Sequence, residues 1–401
     1  MLIVSFLLVV QQGVAGGDSL TLDQALAAAR AQRSTVALLS AQVEERRAQR
    51  RVASRPSNPT AEFSRVDVEP ARRLVINQSL ASLVRLPLER SSATHYVDAA
   101  TADSAQRSVN LERDVARAYF AVVAAERRVA FVRDLAQIAD SLSILASRRA
   151  VAGDISDLDR AQFALEATRV RLQLSRAEEQ LASQRASLAR ELAMPADAIP
   201  PTADRLDAGL EVDALPMMAT TAGDTPEVRR ARAAARGAEV SERSLRWARL
   251  PVPSLFVQRD WGRSADVASS TRLGLAVPIP LFSQGNEQLD VRAAQARAAS
   301  AQAREVELDI ARALSEARTR LEASVMRARL ANDSLVPGAT RLRVGAVRLY
   351  EAGRSTVLQV LESLRAERDA QLWALDETLA YQQARADLAA LAGRSSSLSA
   401  R

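Results

Sequence analysis

The chain has no cysteine, no lysine and one histidine, and aromatic residues make up only 3% of its 401 positions. Without cysteine there is no disulfide, no thiolate metal site and no N-terminal cysteine to acylate. The single histidine, His95, has no motif around it and reads as a helix-surface residue near a strand exit rather than a base or ligand. Nucleotide loops, metal-spaced clusters and nucleophile elbows are missing too, so neither an enzyme nor a cofactor is expected. So few aromatics do not build an ordinary globular core, and the abundance of alanine, leucine and arginine points to helix packed on helix. All basic charge is arginine, which also occupies featureless positions, as a codon habit of the source genome would produce. The net charge is only +6. The arginines interleave with acids, as in Arg113-Asp114, Glu126-Arg127-Arg128 and Glu242-Arg243, which describes solvated helix faces and not a nucleic-acid stripe. Beyond the N-terminus no stretch reaches the roughly eighteen uncharged apolar residues of a membrane helix. Any membrane contact has to be made by strands.

Strand character is concentrated in a few places. Leu273, Leu275, Val277, Ile279 and Leu281 alternate with Arg272, Gly274, Ala276, Pro278 and Pro280, the period of a strand. The prolines cannot donate to a ladder, so Pro278 and Pro280 belong where the strand leaves its sheet, and the turn residues up to Gly285 and Asn286 lead into a helix from Glu287. Pro251 and Pro253 precede another strand through Trp261. Earlier, Thr60 to Glu69 reads as a strand with a bulge near Ser64 and Arg65, because Ala61 and Phe63 have one parity and Val66 and Val68 the other. Arg73 to Leu86 reads as a further strand closed by Leu86-Pro87-Leu88, which makes Pro87 a strand-to-helix junction like Pro280.

Everything else reads as helix. Residues 1–17 are apolar from Leu2 to Val10 and end in small residues, the pattern of an export signal peptide without its basic start. Thr21 and Gln24 form a capping box for a helix that breaks at Ser54 to Pro59. Glu89 to Val151 has no proline and would span roughly 90 Å at 1.5 Å per residue. Gly153-Asp154-Ile155 interrupts it, and the capping box Ser156 to Asp159 starts the next helix, which stops at Met194-Pro195. Leu158, Leu165 and Leu172, then Leu174, Leu181 and Leu188, recur at the heptad spacing of a coiled-coil-like seam. After Glu287, Ala303, Ile310, Leu314, Ala317, Leu321, Val325 and Ala328 form a narrow, mostly small stripe suited to helices laid side by side around a lumen.

The chain also repeats itself. Thr225-Pro226 opens a helix; Asp114-Val115-Ala116-Arg117-Ala118 returns as Asp309-Ile310-Ala311-Arg312-Ala313; Gly153 as Gly353; the cap Ser156 to Asp159 as Thr356 to Gln359. The offset drifts between about 192 and 200 residues. The organisation is therefore a first repeat over 18–195, a linker over 196–224, a second repeat over 225–394 and a tail over 395–401. Each repeat runs helix, strand, strand, long helix, turn, helix, so the fold class is mainly α with short β-strands. Strands of about ten residues are long enough to cross a bilayer if tilted. Four cannot close a barrel, and open edges in lipid leave backbone groups without partners, so a membrane barrel requires several chains to pool their strands. The alternative is a soluble, periplasmic coiled-coil scaffold capped by two hairpins.

The duplicated order, Val277-Pro278-Ile279-Pro280-Leu281-Phe282-x-x-Gly285, and Tyr350-x-x-Gly353-x-Ser355 leading into Leu358-x-Val360-Leu361 resemble the TolC-like outer-membrane efflux protein family from Ser19 to about Arg394. The resemblance implies a homotrimer with a twelve-stranded transmembrane β-barrel in the outer-membrane lipid, continuous with a periplasmic α-helical barrel. It implies a passive exit duct for efflux or type I secretion that docks on a periplasmic adaptor and an inner-membrane pump or ABC transporter, with the cargo open. By the same resemblance, Gly153, Asp154, Ile155 and Ser156 form one adaptor-facing tip, and Gly353, Arg354, Ser355 and Thr356 the other. The tunnel constriction falls on Gln359 and Glu362. A ring of three Glu362 carboxylates would attract cations; the alternative is that Gln359 simply completes its helix cap and Glu362 is solvated surface. A tip latch would join Arg354, beside Tyr350, to Asp157 or Asp159.

Overall fold

The computed structural model describes residues 19–32, 34–65, 72–207, 210, 221–248, 251–261, 269–279 and 286–394. The expected signal peptide, Val66, Val68, Pro280, Gly285, most of the linker after residue 207 and the tail lie outside them. The chain divides into two compact units: residues 1–36, 107–221 and 311–401 form one, and 37–106 with 222–310 the other. Each takes matching pieces from both halves of the duplicated sequence.

The elements are α1 (Leu22–Gln32), α2 (Ser34–Ala53), β1 (Thr60–Arg65), β2 (Arg72–Ser79), α3 (Ala81–Val151), α4 (Asp157–Leu192), α5 (Pro226–Ala248), β3 (Ser254–Trp261), β4 (Ser270–Ala276), α6 (Asn286–Leu330), α7 (Val336–Glu351) and α8 (Val357–Leu391). A short π turn, Ala331–Leu335, joins α6 to α7.

In the second unit the strands form one antiparallel sheet in the order β1-β2-β3-β4, so the two repeats meet along β2 and β3. Two expectations fail here. The β1–β2 register is regular through Ser64↔Arg73 and Arg65↔Arg72, with no bulge at Ser64 or Arg65. The second strand ends at Ser79, and Pro87 lies inside the 71-residue helix α3 rather than at a strand exit. The reason is legible afterwards: Leu80, Leu83, Val84 and Leu88 follow helical spacing. The Leu80 carbonyl accepts from the Leu83 and Val84 amides at 3.1 and 3.2 Å, which starts the helix at once. Proline in the early turns has its φ preset and leaves only the Leu83 carbonyl without an intrahelical donor. In the second repeat the strand does stop before its proline, at Ala276, so Pro278 sits past the ladder as expected.

In the first unit Leu22, Leu26, Val115, Tyr119, Val122, Leu188 and Leu192 make a buried core. The Tyr119 hydroxyl donates between the Leu20 carbonyl at 2.8 Å and the Asp204 carboxylate at 2.7 Å. Asp204 also accepts from the Leu22 amide at 2.7 Å. Burial, with the Asp204 carboxylate adding to it, pushes the Tyr119 pKa up, so the phenol stays neutral and tethers the linker to the helices. Thr21 and Gln24 form the expected capping box at 2.9 and 3.3 Å.

The α6 stripe holds: Ala303, Ile310, Leu314, Ala317, Leu321 and Ala328 are buried. The α4 seam divides. Leu188 is buried, but Leu158, Leu165 and Leu172 are 69%, 52% and 58% exposed. Phe163, Ala167, Val170 and Ala177 take the inward face instead. The leucine row is the opposite side of the same helix and has no cover among the described residues. The π turn was not foreseen; Pro337 lacks the amide that the Asp333 carbonyl would require, and a wider turn just before it accommodates the loss.

Candidate functional site

Two regions carry functional geometry. In the sheet, the register aligns side chains that the separate strands only hint at. Ala61, Ile76, Val257 and Leu273 are successive partners across all four strands and lie on one face. Phe63, Leu74, Leu255 and Leu275 extend it, and most of its members are exposed. The other face presents Glu62, Asn77, Gln258 and a buried Asp260. The Asp260 carboxylate accepts from Arg73 at 2.9 Å, Arg272 at 2.6 Å and Gln258 at 2.7 Å, tying β2, β3 and β4 together. Gly274 makes room on that face for its partner Phe256, whose ring would stand 2.5 Å from an added Cβ. Thus the sheet has an exposed apolar side, a polar side braced by ion pairs, and unpaired outer edges on β1 and β4 among the described residues.

In the other unit the two predicted tips form the same hairpin twice. Gly153 and Gly353 have φ of +81° and +72°, with open space where a Cβ would sit, so backbone conformation alone calls for glycine. Behind each glycine a six-to-one bond closes the helix, Asp154 to the Arg149 carbonyl at 2.9 Å and Arg354 to the Leu349 carbonyl at 2.8 Å. Both capping boxes form: the Asp159 amide donates to Ser156 Oγ at 3.1 Å, and the Gln359 amide to Thr356 Oγ1 at 3.3 Å. Gly153, Asp154, Ser156, Gly353, Arg354 and Thr356 are exposed, while Ile155 and Ser355 are half-buried.

The tips touch through a residue that sequence reasoning missed. Arg149, in the last turn of α3, donates to the Tyr350 carbonyl at 2.9 Å and the Glu351 carbonyl at 2.8 Å, the C-terminal end of α7. Its guanidinium lies 4.9 Å from the centre of the Tyr350 ring. Tyr350 is 2% exposed and packs against Phe163 at 5.4 Å. Burial raises its pKa, with Arg149 opposing. A basic residue in a helix's last turn was the available signal.

Within one chain, Asp157 pairs with Arg160 at 3.2 Å and Asp159 serves its cap, while Arg354 forms no ion pair among the described residues. Gln359 and Glu362 are both exposed, three residues apart on one face of α8. One turn on lies a second missed group. The Glu166 side chain, 4% exposed, accepts from Arg365 at 2.7 and 3.2 Å, with Arg169 and Arg368 at 3.5 and 3.8 Å. Glu166 first, and Glu362 as well, hold the Arg365 pKa above its usual value. This links α4 to α8 behind the tips. No group of three metal-ligating side chains gathers among the described residues, and no described helix is long and apolar enough to cross a membrane.

No family model matches the sequence. The structure superposes on the outer membrane protein VceC of Vibrio cholerae with a TM-score of 0.76 and 18% identity, covering 94% of this chain and 97% of that one. It also superposes on the open state of the Neisseria gonorrhoeae MtrE outer membrane channel, with a TM-score of 0.76, 17% identity and coverage of 93% and 89%. The fold is that of TolC-like outer-membrane channels. In sequence, the cobalt-zinc-cadmium resistance protein CzcC of Cupriavidus metallidurans is 29% identical over 265 residues, 64% of this chain. The chain spans 61% of that curated relative's length.

Proposed function

We propose that this protein is the outer-membrane exit duct of a tripartite export system: an exported homotrimer whose pooled strands cross the outer membrane and whose helices enclose a periplasmic tunnel. The observation that carries this is the four-stranded sheet with one exposed apolar face, one polar face and two open edges. Exposed apolar surface of this kind is costly in water, and open edges are costly in lipid. Closing the sheet with further copies removes both costs. The likeness to outer-membrane channels across nearly the whole chain supports the same reading.

In this reading the tips around Gly153 and Gly353 meet a periplasmic adaptor that couples the duct to an inner-membrane pump or ABC transporter. Glu362, with Gln359 one turn nearer the tip, lines the narrowest part of the tunnel. Arg354, which has no ion pair among the described residues, latches to Asp157 or Asp159 of the first tip in this reading. The protein acts as a conduit, and its chemistry is electrostatic filtering instead of bond making. Likeness to CzcC makes divalent metal ions the first cargo to examine.

The deciding experiment is fractionation followed by unheated gel electrophoresis and native mass spectrometry of the detergent extract. Recovery from the outer membrane as a detergent-dependent trimer is expected. A water-soluble monomer or dimer would replace the duct with the coiled-coil scaffold. Cargo is then read by deleting the gene and scoring sensitivity to zinc, cobalt and cadmium against a panel of organic toxins.

A further inference from the structure

β1 runs away from α2 and its antiparallel partner β2 runs back to α3; β3 runs away from α5 and its partner β4 runs back. Along the apolar face, the last described row, at the end of the sheet distal to α2 and α5, departs from the rest: Arg65 stands directly opposite Arg72, and Arg72 opposite Trp261. One row inward, Arg259 is held by Thr271 Oγ1 at 2.5 Å and Ser269 Oγ at 3.0 Å, with its guanidinium 5.9 Å from the centre of the Trp261 ring. The next row, Ala61, Ile76, Val257 and Leu273, is wholly apolar.

Two like charges facing each other across a strand pair repel. Arg65 and Arg72 are both exposed, and neither is paired with a carboxylate among the described residues. Such a pair calls for an anion between or beside its guanidinium groups. Arginine presents a planar fork that matches phosphate oxygens, and tryptophan favours the boundary between hydrocarbon and headgroups. We propose that Arg65 and Arg72, backed by Arg259 and Trp261, form a binding site for the phosphates of an anionic lipid headgroup at the end of the sheet distal to α2 and α5. The occupant is a bisphosphorylated glycolipid, whose phosphate monoesters carry more negative charge than a single phosphodiester and so answer a pair of facing guanidinium groups better. This rests on the apolar face being lipid-facing.

The test uses the full chain purified in detergent and exposed to diphosphoryl lipid A, with retained lipid counted by native mass spectrometry. Wild type should hold the lipid, and R65Q/R72Q should bind it about tenfold more weakly or worse, since each arginine near an anionic surface contributes on the order of 1 kcal/mol. In wild type, removing the lipid's phosphates should have a similar effect, a comparison that needs no variant to fold. Equal retention by R65Q/R72Q, or retention in wild type indifferent to the phosphates, would overturn the site. Wild type soluble without detergent would instead remove the barrel reading, a separate result seen before any lipid is added.

Discussion

The two tips share one backbone and divide their chemistry. Their glycines, six-to-one closures and capping boxes match at an offset of 200 residues, yet the positions around them have diverged. The first tip has Arg149 where the second has Leu349, and the second has Tyr350 where the first has Ala150. One tip supplies a cation, and the other supplies carbonyls and an aromatic face. Just behind, Glu166 sits where the second repeat has Ala366, and Arg365 where the first has Leu165. The two hairpins share one backbone, and the residues that differ between them make a clasp between unequal halves.

Breaking the clasp at its most buried charge should have the largest effect. Arg365→Met removes the nearest partner of Glu166 and is expected to destabilise the protein by roughly 2–3 kcal/mol, read as a lower thermal midpoint in detergent. That lies below the ~3–5 kcal/mol of a fully buried pair, because Arg365 is 38% exposed and Arg169 and Arg368 stand close. Next comes Arg149→Ala, which deletes two charge-assisted hydrogen bonds and a cation–π contact, about 1–3 kcal/mol between the tips. Single-channel conductance should rise in that variant while Leu349→Ala, the matched change in the other tip, leaves it unchanged; equal effects would dissolve the asymmetry.

Gly153→Val and Gly353→Val each force a branched side chain into the left-handed region at roughly 1–2 kcal/mol. Both should abolish export in a toxin-resistance assay with oligomers still intact on unheated gels. Glu362→Gln should leave stability unchanged within about 0.5 kcal/mol and reduce cation selectivity, seen as a shifted reversal potential under a salt gradient. The pH dependence of the clasp follows from Tyr350. Its pKa is raised above the ordinary value of 10.0, so the folded state holds the proton more tightly than the unfolded chain. Its contribution is complete below about pH 10 and is lost above it. Heat-unfolding midpoints of wild type should therefore show no loss from Tyr350 between pH 6 and 9, and Tyr350→Phe should remove the loss found above pH 10.

Much of this was legible in the linear pattern. Capping boxes and positive-φ glycines are local, so Ser156, Thr356, Gly153 and Gly353 could be placed without a structure. The Leu80 to Leu88 stretch was misread because a short apolar run with a terminal proline satisfies either period, and only the hydrogen bonds of Leu80 decide for helix. The row Leu158, Leu165 and Leu172 has a perfect heptad, but spacing identifies a face without saying which face turns inward. Arg149 and Glu166 were hidden for a further reason. In a chain with 54 arginines against 48 acids, a buried charge looks like its many solvated neighbours.

By itself the sequence determined what depends on near neighbours and on period: long helices, four strands in two pairs, the turn glycines, the caps and the duplication. These follow from backbone sterics and from side chains a few residues apart. Tertiary structure alone decided which strands adjoin, and with them the gathering of one apolar and one polar face. It also decided which arginine reaches across to Tyr350 and which carboxylate is buried. Those outcomes depend on groups up to some two hundred residues apart, as Arg149 and Tyr350 are at a separation of 201. No local preference encodes such a distance; only packing brings it to 2.9 Å.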